Sequence, residues 1–288
     1  MNRVAKVRVV EGRYGLPHVS SSILILYCDR SSRKIMEAFE TLRRNSSTPT
    51  AMTTAVLGAT GAIGSALSRR LLARGSTPWL IGRSKEKLEA LSNELKGAPF
   101  TVVDVSEPTS ISEALKDACP PDVNGLAYCV GNIVLKPFKR ASPADYASCF
   151  NLHVIGAAEA LKAVEPGMKK NGGSVVLFSS VAVQQGFTNH AVISSAKGAI
   201  EGLTRALAAE MAPKVRVNSI APSISESAMA MPMLGKESMA QALAKGHPMQ
   251  RVGAPDDSAA LASFLLSSDS SWITGQIIGV DGGRSAVA

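Results

Sequence analysis

The chain has 288 residues, of which 45% are hydrophobic and 24 are glycine, a composition typical of a soluble, compactly wound protein with an ample core. No apolar run approaches the roughly 20 residues that a membrane-spanning helix needs, so we expect no membrane partner. The net charge is +8, but residues 1–51 hold nine Lys or Arg and four acidic residues, so they contribute +5 of it. That segment has no recognisable nucleic-acid-binding motif, so nucleic-acid binding is the least favoured function class and no such partner is expected.

The segment 1–51 lacks a steady hydrophobic period and ends in a polar run immediately before Met52. Three interpretations stay open. The first is a targeting peptide, since the segment is basic and holds seven Ser, although its four acidic residues count against this. The second is an N-terminal extension, ordered or disordered. The third is a mis-annotated start, with Met52 as the true first residue. We therefore expect a cytoplasmic protein, or an organellar one if the segment directs import.

From Met52 onward, strand-like and helix-like patterns alternate. Apolar runs typical of strands lie at 54–57, 78–81, 100–103, 124–129, 174–178, 215–219 and 276–280. Amphipathic stretches typical of helices lie between them, for example Ala62–Arg74, Ser84–Lys96 and Ser194–Ala212. Strands that are apolar along their whole length are covered on both faces, so the pattern predicts an α/β fold with a doubly wound parallel sheet. We expect one Rossmann-fold domain over residues 52–288.

A glycine-rich turn, Gly58-Ala-Thr-Gly61-Ala-Ile-Gly64, follows the first strand and opens the first helix. Glycine lets the backbone turn sharply and lets a pyrophosphate approach main-chain N–H groups, and the helix N-terminus favours negative charge. The turn therefore predicts a dinucleotide site.

The end of the second strand indicates which dinucleotide is bound. An acidic residue there would bind a ribose 2′-hydroxyl and repel a 2′-phosphate. The chain has Gly82 at this position, followed by Arg83 and Ser84, which can hold phosphate. NADP(H) is thus favoured over NAD(H), which stays an alternative. A solvated Arg83 without a ligand is the other interpretation.

The cysteines and histidines suggest no metal centre. Cys28, Cys119, Cys129 and Cys149 form no CxxC pair and no ligand cluster. We expect free thiols in a reducing compartment. The histidines are scattered, so no metal site is expected.

The segment Ser180–Lys197 resembles the active-site segment of the short-chain dehydrogenase/reductase family, which has Ser, Tyr thirteen residues on, and Lys four residues later. Ser180 and Lys197 are in register, but Ile193 stands where the family has tyrosine. A hydrocarbon cannot exchange a proton. The chain is thus identified as a divergent member that lacks the catalytic tyrosine.

The resemblance implies roles for the residues around this segment. Asn151 would hold a water that connects the lysine to solvent, and Ser180 would bind the substrate oxygen. Lys197 would bind the nicotinamide ribose. His190, in the loop before the helix, is the candidate proton donor because imidazole titrates near neutrality. A lining role without proton transfer is its alternative.

The resemblance covers residues 53–283 and also implies the cofactor contacts. Asp104 and Val105 would lie at the adenine, Gly131 at the adenine-side ribose, and the Ser227 hydroxyl at the cofactor. Together with the turn residues, the predicted cofactor-binding set is Gly58, Thr60, Gly61, Ile63, Gly64, Arg83, Ser84, Asp104, Val105, Gly131, Lys197, Pro222, Ile224 and Ser227.

These observations favour an NADP(H)-preferring oxidoreductase that interconverts a small-molecule carbonyl and alcohol by hydride transfer, with an altered proton donor. The alternative is a non-catalytic dinucleotide-binding protein that acts as a sensor or assembly partner. The resemblance implies a homotetramer built through the helices around 145–170 and 194–212 and the last strand. Substrate identity depends on the Met-rich segment 225–247, which predicts an adaptable apolar lid.

Overall fold

The computed structural model describes residues 52–287, and the interpretations of residues 1–51 lie outside this range. Seven strands form one sheet in the order β3-β2-β1-β4-β5-β6-β7, and every neighbouring pair is parallel. The strands are β1 Thr53–Leu57, β2 Thr77–Gly82, β3 Phe100–Val102, β4 Val123–Tyr128, β5 Gly173–Phe178, β6 Val215–Pro222 and β7 Ile277–Val280. The predicted doubly wound parallel sheet is confirmed.

Helices connect the strands and cover both faces of the sheet. They are α1 Ala62–Ala73, α2 Lys85–Glu94, α3 Pro108–Lys116, α4 Pro143–Phe150, α5 Gly156–Asn171, α6 Val181–Gln184, α7 Ala191–Met211, α8 Met231–Leu234, α9 Glu237–Lys245 and α10 Pro255–Leu266. A π-helical turn, Asn151–Ile155, joins α4 to α5 without a break. Among residues 52–287, none of the helices has the length and apolar character that a bilayer crossing requires.

The central strands are buried along almost their whole length, and their apolar residues alternate between two separate cores. On one face, Leu57, Ile81 and Leu126 pack against α3, α5 and α7. On the other face, Val56 and Leu80 pack against α1, α2 and α10. Strands covered on both faces cannot alternate apolar and polar residues, which is why continuous apolar runs marked them in the sequence.

The strand order reverses direction at β1, which lies between β2 and β4. In open parallel sheets, ligands bind outside the carboxyl ends of the strands at this point. The loops that leave β1 and β4, at Gly58 and Cys129, therefore border the expected ligand site.

Candidate active site

The glycine turn packs too closely for side chains. Gly58 has φ +76°, and a Cβ there would lie 3.0 Å from the Cys129 backbone. A Cβ on Gly64 would overlap the carbonyl oxygen of Gly58. Gly61 caps α1 without a side-chain hydrogen bond, and the first turn of α1 has no acidic residue. The free N–H groups of this helix terminus therefore form a cradle for an anion.

Two residues of opposite charge, Arg83 and Asp104, follow the ends of β2 and β3. Arg83 is exposed, and its charge helps to hold the pKa of Asp104 below its usual range, after the larger effect of hydrogen bonds from Ser106. Ser84 is the N-cap of α2, accepting from Lys87 N at 3.4 Å. Arg83 thus has the freedom to meet a phosphate, whereas Ser84 has a structural role as well.

The loop after β4 rests on a histidine that the sequence analysis did not single out. A Cβ on Gly131 would lie 2.7 Å from Cε1 of His153. The buried His153 ring has Nε2 3.1 Å from Oδ1 of Asn132, and within residues 52–287 its Nδ1 has no hydrogen-bond partner. Burial, and then the charge of Lys197, lowers the pKa of His153 to about 3, so the ring is neutral at physiological pH.

Lys197 lies on α7 and is buried, which is unusual for an amine. Its Nζ donates a 2.7 Å hydrogen bond to the carbonyl oxygen of Phe178, at the end of β5. Burial lowers its pKa to about 8, although the thiols of Cys149 and Cys129 act in the opposite direction. The ammonium is therefore mostly charged at pH 7 and loses its charge over the next pH units.

A cavity of about 470 Å³ opens between these elements. It brings together part of the predicted site, namely Gly61, Ile63, Ser180, His190, Pro222, Ile224 and Ser227. The apolar side chains of Met229, Met233 and Leu243 cover it. The Met-rich segment thus borders the pocket, as the sequence predicts for a lid.

Ile193 lines this cavity one helical turn before Lys197 and is 6% exposed. It packs with Val192, Ala196 and Cys149. Neither tyrosine of the described range lines this cavity, although Tyr146 packs against the cluster that contains Ile193. Tyr128 donates to the carbonyl oxygen of Leu152 at 2.6 Å, and Tyr146 lies in a separate groove.

Two polar side chains of the cavity can contact a substrate oxygen. Ser180 Oγ accepts from Ala182 N at 3.2 Å, which leaves its hydroxyl proton available. His190 Nδ1 lies 2.7 Å from the carbonyl oxygen of Thr188, which can only accept, so Nδ1 carries a proton. The neutral ring therefore has no proton on Nε2, and His190 acts as an acid only in its imidazolium form.

The structure does not bring Asn151 to this cavity. Its exposed side chain lines a surface groove with Phe150, Val192 and Tyr146. His153, two residues later, is buried, and the charge of Lys197 contributes to its lowered pKa. The sequence indicates the place of His153 only indirectly, through the glycine at position 131, which leaves room for the imidazole.

The Met-rich segment is joined to the sheet by a buried histidine. His247, just after α9, has Nε2 2.8 Å from Oγ of Ser223 and donates from Nδ1 to the carbonyl oxygen of Leu243 at 2.7 Å. Ser223 directly follows β6, so this pair fixes the end of α9 next to the cavity. No group of three or more His, Cys, Asp or Glu within the described range could hold a metal ion.

Residues 58–285 match the family model described as Enoyl-(Acyl carrier protein) reductase. A tropinone reductase homolog of Arabidopsis thaliana is 32% identical over 240 residues, with 80% of this chain and 91% of that protein covered. The L-xylulose reductase of Bos taurus is 31% identical over 233 residues, with 79% and 94% covered. Among solved structures, a candidate NAD(P)-dependent gluconate 5-dehydrogenase from Beutenbergia cavernae, with NADP bound at low occupancy, is 26% identical. Its TM-score is 0.77, and 83% of this chain and 98% of that chain are covered.

Proposed function

Because the chain belongs to the short-chain dehydrogenase/reductase family, we propose that it is an NADP(H)-preferring oxidoreductase that interconverts a carbonyl and an alcohol by hydride transfer. The observation that carries the proposal is the cavity that joins the Gly61 end of the glycine turn to Ser180, with Lys197 buried one helical turn after the cavity residue Ile193. Bound there, the nicotinamide cofactor supplies or accepts the hydride.

The preference for NADP(H) is supported by the end of β2. The uncapped N-terminus of α1 fits a pyrophosphate, because Gly58 and Gly64 leave no side chain between ligand and backbone. Gly82 brings no carboxylate that would repel a 2′-phosphate, and the exposed guanidinium of Arg83 would pair with one.

In this proposal the residues of the chain orient the substrate and handle the proton. The Ser180 hydroxyl donates to the substrate oxygen, and the Lys197 ammonium binds the hydroxyls of the nicotinamide ribose. His190, as imidazolium, transfers a proton to the oxygen during carbonyl reduction, in place of the phenol that Ile193 removes. General acid catalysis contributes roughly 10²–10⁴-fold, so slower turnover with solvent as the proton donor would remain without it.

A direct test combines binding and turnover. Fluorescence titration should give tighter binding of NADPH than of NADH, and NADPH oxidation should occur with members of a panel of ketones and aldehydes. Ser180→Ala should lower kcat with little change in NADPH affinity, since the hydroxyl acts on the substrate oxygen. NADPH binding without turnover of any panel member would instead favour the non-catalytic binding protein. Absence of binding at millimolar concentration of either cofactor overturns both.

We also infer a homo-oligomer. Phe150 and Ile155 are 42% and 38% exposed on the α4–α5 helix, and an apolar groove beside them includes Val192 of α7. Exposed apolar residues that border a groove are typical of subunit contacts. Light scattering should give a mass above one chain, and Phe150→Glu should lower that mass. A monomer at micromolar concentration would contradict the inference.

A further inference from the structure

Arg284 is a cation in the wall of the cavity that the proposed mechanism does not use. It lies in the turn after β7 and lines the cavity with Phe187 and His190. Its guanidinium carbon is 4.7 Å from the centroid of the Phe187 ring, and that ring also contacts His190, with centroids 5.3 Å apart. Cation–π contact thus fixes the guanidinium beside the candidate proton donor.

The guanidinium has no hydrogen bond or ion pair with any residue of the described range. By contrast, Arg251, outside this cavity, pairs with Asp257 at 2.6 Å. Glu226 is the acidic residue among those that line the cavity, but it is exposed and its charge acts on Arg251. The five N–H donors of Arg284 are therefore available to a ligand.

The surroundings of Arg284 define the ligand. Phe187, Ile193, Met233 and Leu243 make much of the cavity wall apolar, which excludes water and strengthens any pairing with a charge. An arginine fork matches the two oxygens of a carboxylate. An apolar part of the substrate would fill the space between its carboxylate, at Arg284, and its reacting oxygen, at the Ser180 hydroxyl.

We propose that Arg284 forms a carboxylate subsite, so that the substrate is an oxo acid or hydroxy acid with an apolar body. This proposal rests on the proposed function, because the subsite belongs to the same cavity. A charge-assisted pair of this kind corresponds to a preference of about tenfold to a hundredfold for the acid over a neutral analogue.

The decisive measurement is calorimetric titration of the NADPH-loaded protein with hexanoate and with hexanamide, which share an apolar chain and differ in charge. Wild-type protein should bind hexanoate about tenfold or more tightly than hexanamide. Arg284→Met keeps an unbranched apolar side chain against Phe187 and should remove the difference, whereas Arg284→Lys should retain part of it. Arg69→Met, which breaks an exposed ion pair with Glu94 outside the cavity, is the matched control and should keep the full difference.

The same variants are then compared in turnover of 5-oxohexanoate and its methyl ester, with the ratio of kcat/KM values as the readout. Equal binding of acid and amide by wild-type protein, or a preference that persists in Arg284→Met, overturns the subsite. Failure of the proposed function is recognised separately, as absence of NADPH binding or of turnover. In that case, titration of the protein without NADPH still decides whether Arg284 binds carboxylates.

Discussion

Returning a phenol to position 193 tests whether the site has lost only its acid. Ile193 lies in the cavity wall and one turn from Lys197 on α7, so a tyrosine placed there would extend into the cavity of about 470 Å³. The Lys197 ammonium, buried and free of any acidic hydrogen-bond partner in residues 52–287, would lower the pKa of that phenol from its ordinary value of about 10.

The expected gain follows from the size of general acid catalysis. A well-placed acid contributes roughly 10²–10⁴-fold, or about 3–5 kcal/mol of barrier. If the backbone geometry at Lys197 is preserved, Ile193→Tyr should raise kcat for ketone reduction by about 10²-fold. The gain should be largest below pH 8, because Lys197 has a pKa of about 8 and loses its charge above it.

The matched control is Ile193→Phe, which adds the same ring without the hydroxyl. Both variants are assayed for NADPH affinity, thermal midpoint and kcat between pH 6 and pH 9. Equal kcat values for the two variants, with cofactor affinity and stability retained in both, would refute the argument that the missing proton donor limits the rate.

Four further predictions follow from single contacts. Arg83→Glu should weaken NADPH binding by about tenfold or more, by placing a carboxylate against the 2′-phosphate, and improve NADH binding, both measured by fluorescence titration. His190→Gln should lower kcat for reduction by roughly 10²-fold; an unchanged kcat would exclude proton transfer by this residue. Gly64→Ala should lower the thermal midpoint and NADPH affinity because the new Cβ overlaps a backbone oxygen. Gly202→Ala, an exposed position in α7 with open space around it, should keep the NADPH affinity and not lower the thermal midpoint, since alanine favours a helix over glycine. The unfolded chain keeps the Lys197 proton up to about pH 10.5, whereas the folded chain releases it near pH 8. The unfolding free energy of the wild-type protein should therefore rise by about 2 kcal/mol relative to that of Lys197→Met between pH 8 and pH 10. Denaturant titrations of both proteins at the two pH values measure this difference.

The sheet was predictable because most of its strands carry a short apolar run, although β6 also carries Arg216, Asn218 and Ser219. Val56 and Leu57 of β1 face opposite cores, so both must be apolar. The start of α7 was harder to predict from the sequence. The helix begins at Ala191, three residues before the predicted Ser194, and its N-cap residue, His190, makes no side-chain hydrogen bond to the helix. Without a capping side chain, the sequence carries no signal at that boundary.

The place of Asn151 reflects the local backbone. Residues 151–155 form a π-helical turn, whose hydrogen bonds span five residues instead of four. Each inserted residue turns the following side chains by about 100° relative to a regular α-helix. The directions of the side chains after Asn151 therefore cannot be read from the spacing of a regular helix, and the water-holding role that the resemblance implies for Asn151 stays a prediction.

Cofactor binding by Lys197 can be separated from proton transfer at this site, because the lysine is present while position 193 carries isoleucine. The amine donates one hydrogen bond to Phe178 and has two further N–H donors, but it faces a neutral imidazole and thiols whose pKa values burial raises. A buried cation without an anion is costly, as its lowered pKa indicates, so its presence needs a ligand that accepts hydrogen bonds. The ribose hydroxyls of a bound nucleotide meet this need without a phenol. Lys197→Met should therefore raise the Kd for NADPH even in Ile193→Phe, where position 193 carries no phenol. Equal NADPH affinities of Ile193→Phe with and without Lys197→Met would assign the amine to chemistry alone.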